Sequence, residues 1–175
     1  MIRDLVIAVG VSGALLGSMV VGVSPAEADT VIDGCTIVAS PSVTHHTDCP
    51  DASLRDTNLR DTNLRYADLT RADLFRANLF QAILFSANLT RADVSRADLQ
   101  EARMSGANLT DANLMGSNLG GAILARADLT GANLRFAILS EAFLGDAKLC
   151  HTTMPDGTIN NSNCSSARAR TAARR

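Results

Sequence analysis

Few side chains in this sequence have the type and spacing that catalysis or metal binding requires. His45 and His46 are adjacent, and a histidine pair can ligate a metal ion, but no third or fourth ligand is spaced beside them. Asp73 and Asp93 lie twenty positions apart, and two stacked carboxylates can serve as acid and base in a glycosidase. No aromatic platform accompanies them, and the sequence has no nucleophile set or glycine-rich phosphate loop. We therefore predict no catalytic, cofactor-binding or metal-binding residues, and a protein that is not an enzyme.

The four cysteines have the clearest chemistry. Cys35 and Cys49 are fourteen positions apart, and so are Cys150 and Cys164. An even number of cysteines in an exported chain indicates disulfides. The preferred pairing is Cys35 with Cys49 and Cys150 with Cys164, because the other two pairings would join opposite ends of a long array. A metal site is the alternative, but the C-x-x-C spacing typical of such sites is missing.

The N-terminal segment has the features of an export signal. Residues 5–23 carry no charge, and Ala26-Glu27-Ala28 forms a small-residue cleavage motif. We predict a signal peptide at residues 1–28, a mature chain that begins at Asp29, and a secreted or envelope-located bacterial protein without stable membrane insertion. The alternative is an uncleaved anchor, because 19 apolar residues nearly span a bilayer.

A five-residue unit repeats without a break through residues 52–156. Its centre is an apolar residue, nearly always Leu, at every fifth position from Leu54 to Met154, which gives 21 units. Two positions before the centre stands a small residue, Ala in 17 of the 21 units, and one position before it usually stands Asn or Asp. A period of five fits neither a flat strand nor a helix, so the chain must bend once in each unit.

A second period of twenty residues sets the number of sides. Thr70, Thr90, Thr110 and Thr130 each follow a centre, and Cys150 continues this column. Residues twenty apart would lie above one another if four units made one turn, so the sequence predicts a four-sided coil. The threonines are good strand formers, and the sequence leaves any further role for their column open.

The motif A-[D/N]-L-x-x, as at 67–71, 107–111 and 127–131, resembles that of the pentapeptide-repeat family. The resemblance implies an all-β fold: a right-handed quadrilateral β-helix of 21 tandem pentapeptides in about five coils, with the centre and the small residue pointing inward. Outward positions where Asn or Asp is expected depart from the motif at Ile83, Arg103, Ile123, Ile138, Phe143 and Lys148.

The mature chain is predicted to have three parts. An N-terminal cap with a disulfide occupies residues 29–51, the β-helix occupies 52–156, and a C-terminal cap with a basic tail occupies 157–175. Cysteine-bearing flanks of this kind are similar to those of exported family members. Residues 165–175 contain four arginines and nothing to bury, so we interpret them as mobile. The alternative is that they contact an acidic surface.

Apolar outward residues are the best sequence indication of binding. Ile83, Phe85, Ile123 and Phe143 would share one side of the coil, interrupted by Arg103, and an exposed apolar patch favours a partner. The repeat carries 11 basic and 12 acidic residues, so we expect no nucleic-acid binding. We predict an exported scaffold that is a monomer or weak homodimer and presents flat faces to an unidentified protein or envelope partner.

The resemblance also implies an alternative function. Intracellular members of the family look like acidic, DNA-mimicking rods that inhibit or protect a type II topoisomerase. This chain has a predicted export signal and a formal net charge of only −2, which favours the exported scaffold.

The intact mass of the native protein tests export and oxidation together. We expect the mass of residues 29–175 less the four hydrogens lost on forming two disulfides. A reduced, full-length chain recovered from the cell would contradict both expectations.

Overall fold

A computed structural model describes residues 7–8, 29–32 and 34–164 of the chain. The first three strands form an antiparallel sheet in the order β1-β2-β3, and the last two form an antiparallel hairpin. β1 falls within the predicted signal peptide, the rest of which lies outside the described residues. None of the described residues forms a helix long and apolar enough to cross a bilayer. The strands are β1 (Ile7–Ala8), β2 (Thr30–Ile32), β3 (Cys35–Ile37), β4 (Leu149–Thr153) and β5 (Ile159–Ser162).

Between β3 and β4 the chain winds as a right-handed quadrilateral β-helix, which confirms the predicted fold. Single parallel bridges join residues twenty apart, from Asp48 with Asp68 to Asn133 with Thr153. We number the faces by their centres: 54, 74, 94, 114 and 134 on face 1, and 59, 79, 99, 119 and 139 on face 2. The centres 64, 84, 104, 124 and 144 lie on face 3, and 69, 89, 109, 129 and 149 lie on face 4.

Each corner of the coil is a tight turn with one residue in the left-handed backbone region. In the turn at 69–72, the Ala72 N–H donates to the Leu69 carbonyl at 3.0 Å, and Arg71 has a φ of 58°. A positive φ at the third turn residue alone is the type II geometry. The same position is left-handed at every fifth residue from Asp51 to His151, and four of these residues are glycine. The bend predicted from the period of five is therefore a repeated backbone turn.

Backbone hydrogen bonds between coils hold the stack together. In the unit around Leu69, the Leu69 N–H donates to the Asn88 carbonyl and the Arg71 N–H to the Thr90 carbonyl, both in the next coil. Such bonds measure 2.7–3.1 Å throughout the helix. Every coil therefore serves as the template for the coil that follows it, and stability comes from the stack of coils.

The Asn or Asp before each centre completes the hydrogen bonding of its own unit. Its side-chain oxygen accepts the N–H of the residue two positions later, as Asp98 does from Gln100 at 3.1 Å and Asn118 from Gly120 at 3.1 Å. Neither turn nor inter-coil bonding uses that N–H, so the side chain satisfies a donor that would otherwise be left over.

The interior is a narrow column of stacked aliphatic side chains. Every centre from Leu54 to Leu134 is 0–1% exposed, and the small residues from Ala67 to Ala132 are equally buried. This confirms the prediction that the centre and the small residue point inward. Because each coil encloses only four large side chains, a leucine and an alanine per unit fill the space without aromatic residues.

The N-terminal end of the column is covered. The β2–β3 hairpin and the segment that follows place Ile37 and Val38, each 5% exposed, over the first coil. Thr47 is fully buried, and its hydroxyl accepts the Val38 N–H at 3.0 Å. The Cys35–Cys49 disulfide joins this hairpin to the start of the coil. Leu54 is consequently as well shielded as the leucines in the middle of the helix.

The C-terminal end is covered on fewer sides. After the turn at 155–157, β5 folds back antiparallel along β4, and the Cys150–Cys164 disulfide closes this hairpin. Both disulfides have the pairing preferred from the sequence. The hairpin lies over face 4 and does not reach residues 137–146 on faces 2 and 3, where Leu139 and Leu144 are only partly buried.

Replacing Asp98 tests the role of the acidic or amide side chain within a unit. Asp98→Ala should lower the free energy of unfolding by about 1 kcal/mol, because the Gln100 N–H loses its acceptor. Asp98→Asn keeps an oxygen at that place and should cost less than half as much. Equal losses in denaturant titrations of the two variants would contradict this role.

Candidate partner-binding face

Face 3 departs from the pattern of hydrogen bonding seen on the other faces. The column that elsewhere holds Asn or Asp contains Ile83, Arg103, Ile123 and Phe143, and bridges join each of these to the next. Asn63 begins the column, so the change starts at the second coil. Four successive units on one face therefore lack the side-chain oxygen that normally accepts a backbone N–H.

The consequence is a row of unpaired donors. Among the described residues, no acceptor lies within hydrogen-bonding distance of the N–H groups of Phe85, Ser105, Ala125 and Gly145. These groups occupy the same position in successive coils, about 4.8 Å apart. Face 3 thus combines an apolar column with a parallel row of N–H groups that face solvent.

The four residues proposed from the sequence as a binding surface all lie on face 3. Phe143 is 60% exposed, Phe85 42% and Ile123 39%, while Ile83 is half-buried. Arg103 stands between the two isoleucines, as the period of twenty predicted. Whether these residues bind a partner stays a prediction.

Two shallow cavities flank this column. The first, about 430 Å³, is lined by Phe85 and Phe143 with the small residues Gly106 and Gly145 between them. The second, about 490 Å³, is lined by Ile83, Ile123 and polar side chains. The surface is therefore indented on both sides of the column, where a flat wall was predicted.

Two aromatic residues that the sequence shows as outward are covered by arginine. The Arg55 guanidinium lies 4.3 Å from the centre of the Phe75 ring, and that of Arg60 lies 4.0 Å from the centre of the Phe80 ring. Both rings are half-buried, whereas Phe85 on face 3 stays exposed. The sequence contained the signal, because each arginine precedes its phenylalanine by twenty positions. Stacked cations make faces 1 and 2 less available for apolar contacts than face 3.

The threonine column on face 4 is engaged within the protein. The Thr70 hydroxyl donates to Asp68 at 2.5 Å, and the Thr90 hydroxyl donates to Asn88 at 2.6 Å. Asn88 in turn donates through its Nδ2 to the Thr70 hydroxyl at 2.8 Å. Face 4 is therefore a polar ladder in which side chains satisfy one another from coil to coil.

The upper end of this ladder holds a charged group. Burial acts to raise the pKa of Asp128, but hydrogen bonds from Thr130 and the Lys148 ammonium group hold that pKa below its ordinary value of 3.8. The Lys148 Nζ lies 3.0 Å from an Asp128 carboxylate oxygen. Lys148, one of the departures from the repeat motif, thus has a structural partner one coil below.

The other residues with possible chemistry have structural contacts or none. Asp73 and Asp93 are bridged neighbours, but Asp73 binds the Arg55 guanidinium at 2.8 Å. Asp93 accepts hydrogen bonds from Ser95 and Asn113. Within the described part of the chain, His45 and His46 belong to no cluster of metal ligands.

One group of potential metal ligands does come together. Cys150, His151 and Cys164 place their ligand atoms within 4.8 Å of one another. The two sulfurs are joined in a disulfide and are not thiolates, which are the form that binds metal. This cluster therefore does not fit a metal ion while the disulfide is intact.

Sequence comparison identifies the class of protein that this fold defines. A family profile described as pentapeptide repeats matches residues 52–91, 82–121 and 127–165, with eight copies. The matches cover more than half of the chain, so this protein belongs to the pentapeptide-repeat family. The count of 21 units stays a prediction. A search of curated proteins found no match.

Solved structures show the same fold. Rfr23, a pentapeptide repeat protein of the cyanobacterium Cyanothece 51142, is 29% identical with a TM-score of 0.51, over 62% of this chain and 88% of its own. The pentapeptide repeat protein alr5209 of Nostoc PCC 7120 is 37% identical with a TM-score of 0.48, over 55% and 80%. A trypsin-treated form of QnrB1, a plasmid-mediated fluoroquinolone resistance protein, is 17% identical with a TM-score of 0.36, over 75% and 74%. At that distance QnrB1 says nothing about the role of this chain.

The lowered pKa of Asp128 gives a pH dependence. Because the carboxylate is more acidic in the folded state, its ionised form stabilises the fold above the ordinary pKa, and this stabilisation is lost as the pH falls through that value and below. Asp128→Asn should therefore lower the free energy of unfolding at pH 7, by roughly 1 kcal/mol since the side chain is about a third exposed. At pH 2 to 3 the two proteins should converge in urea titrations, and an unchanged difference would contradict the assignment.

Proposed function

We propose that this protein is an exported, non-enzymatic scaffold that binds a protein or cell-envelope partner through face 3. The observation that carries the proposal is the apolar column of Ile83, Ile123 and Phe143, which replaces hydrogen-bonding residues on one face only. Each replacement gives up a side-chain acceptor and exposes apolar surface to water. Neither change helps the isolated coil, so a contact that covers the column accounts for both.

The surroundings of the column suit contact with another macromolecule. Phe85 and Phe143 stand beside shallow indentations that can receive side chains of a partner. The unpaired N–H groups of Ser105 and Ala125 can donate to oxygen atoms of the same partner. An interface with apolar anchors and polar groups around them has the usual composition of protein contacts. The cavities are open and shallow, which suits surface contact better than turnover of a small substrate.

Export is supported by the redox state of the chain and by its N-terminal composition. Cys35–Cys49 and Cys150–Cys164 are disulfides, and disulfides persist in oxidising compartments. Residues 5–23 are uncharged and precede a small-residue motif, as in a secretory signal. We place the partner in the same compartment, either in the envelope or outside the cell.

The family pattern itself supplies a variant that tests face 3 without harming the fold. Ile83→Asn, Ile123→Asn and Phe143→Asn introduce the residue that other faces carry at this position, so the stability of the triple variant should equal or exceed that of the parent. Cross-linked capture from the native envelope or medium should recover the partner with the parent and lose it, by about tenfold or more, with the triple variant.

Ile138→Asn is the matched control. It makes the same exchange on face 2, at a residue that is 53% exposed, and should leave capture unchanged. Identical sets of proteins captured by the parent and the triple variant would overturn the assignment of face 3. Loss of capture in the Ile138→Asn control as well would show that apolar exposure in general, and not this face, governs binding.

A further inference from the structure

The last coil has an open β edge on two of its four sides. On faces 2 and 3 the N–H groups of Leu139, Glu141, Leu144 and Asp146 donate to no described residue. The equivalent groups one coil earlier all have partners, for example Leu124 with the Phe143 carbonyl at 2.8 Å. The interruption is confined to residues 137–146, because the β4–β5 hairpin covers the neighbouring side.

The same stretch exposes part of the interior. Leu139, Ala142 and Leu144 point into the column like every other centre and small residue, but they are only partly buried. At the other end of the helix Leu54 and Leu64 are fully buried beneath the N-terminal cap. The chain therefore shields one end of its core and leaves half of the other end without a described cover.

We propose that residues 165–175, which follow Cys164 in the sequence, add to this open edge as a further strand. β5 ends at Ser162 beside Leu149, and the Asn163 side chain donates to the Ala147 carbonyl at 3.0 Å. Ala147 is the first residue after the open stretch, so the chain reaches residue 164 at the border of the edge. Eleven extended residues reach about 36 Å, which is enough to follow two sides of five residues each.

The composition of this segment fits the edge in both apolar and charged character. Ala167, Arg168, Ala169, Arg170 and Thr171 alternate small and basic residues with the period of a strand. In an added strand the small side chains face the partly buried leucines, where the repeat itself uses alanine. The arginines point outward, toward the surface that carries the acidic corner residues.

Two acidic groups at the corners of the edge match the basic residues. Glu141 and Asp146 are exposed and take part in no ion pair with another described residue. Elsewhere, corner residues pair between coils, as Arg71 does with Asp51 and Arg76 with Asp56. Arginines of the segment extend this pairing of corners by one layer.

Amide hydrogen exchange of the protein with both disulfides intact tests the proposal. In the full chain the amides of Leu139, Glu141, Leu144 and Asp146 should exchange slowly, and in a variant that ends at Cys164 they should exchange about tenfold faster or more. The amides of Leu124 and Arg126, which bond within the stack, should be unaffected and serve as internal controls. Equal exchange of the four edge amides in the two proteins would overturn the proposal.

The charged part of the contact is tested separately at constant length. A variant with Arg168, Arg170, Arg174 and Arg175 changed to Ser, and the double variant Glu141→Gln with Asp146→Asn, should each lose several-fold protection at the edge. Glu101→Gln, on the same corner two coils earlier, should lose none. Protection that rises with protein concentration, together with a doubled mass in solution, would assign the edge to a second copy and overturn the intramolecular strand.

Discussion

The constraint on which the structure depends is the left-handed residue at each corner. A non-glycine residue in that region costs on the order of 1 kcal/mol, and most corners here carry one. The cost is accepted because the turn brings the chain back over itself after four corners, and backbone groups of one coil then bond to those of the next. A single coil would gain nothing from its corners, so the turns and the stack are stable only together.

Face 3 shows how much freedom that constraint leaves. The inward positions are fixed by the width of the column, but the residue before each centre has only a local task, the acceptance of one N–H group. Three faces keep this task and one face gives it up over four coils, without any change in the bridges between Ile83, Arg103, Ile123 and Phe143. Since the backbone does not require those residues, their presence belongs to the surface and to what meets it.

The parts of the fold that were predictable are those in which one requirement recurs. Leu99 and Ala97 are inside because the column admits one large and one small side chain per unit, and twenty repetitions make that rule legible in the sequence. The position of the candidate face followed from the same period, since Ile83 and Phe143 are sixty residues apart. The unpaired donors at Ser105 and Ala125 could not be foreseen, because the sequence does not show which N–H group each side chain accepts. Nor could the uncovered side of the last coil, which depends on how the unrepeated residues after Pro155 fold back.

The Arg55–Phe75 and Arg60–Phe80 stacks bear on how the chain finds its winding. Successive units are so alike that a coil begun one unit too early or too late would still bury a leucine and an alanine. Such an error would separate each guanidinium from its aromatic ring in the first two coils, where the structure starts. These pairs thus mark the alignment of the first two layers, and every later layer inherits that alignment from the one before.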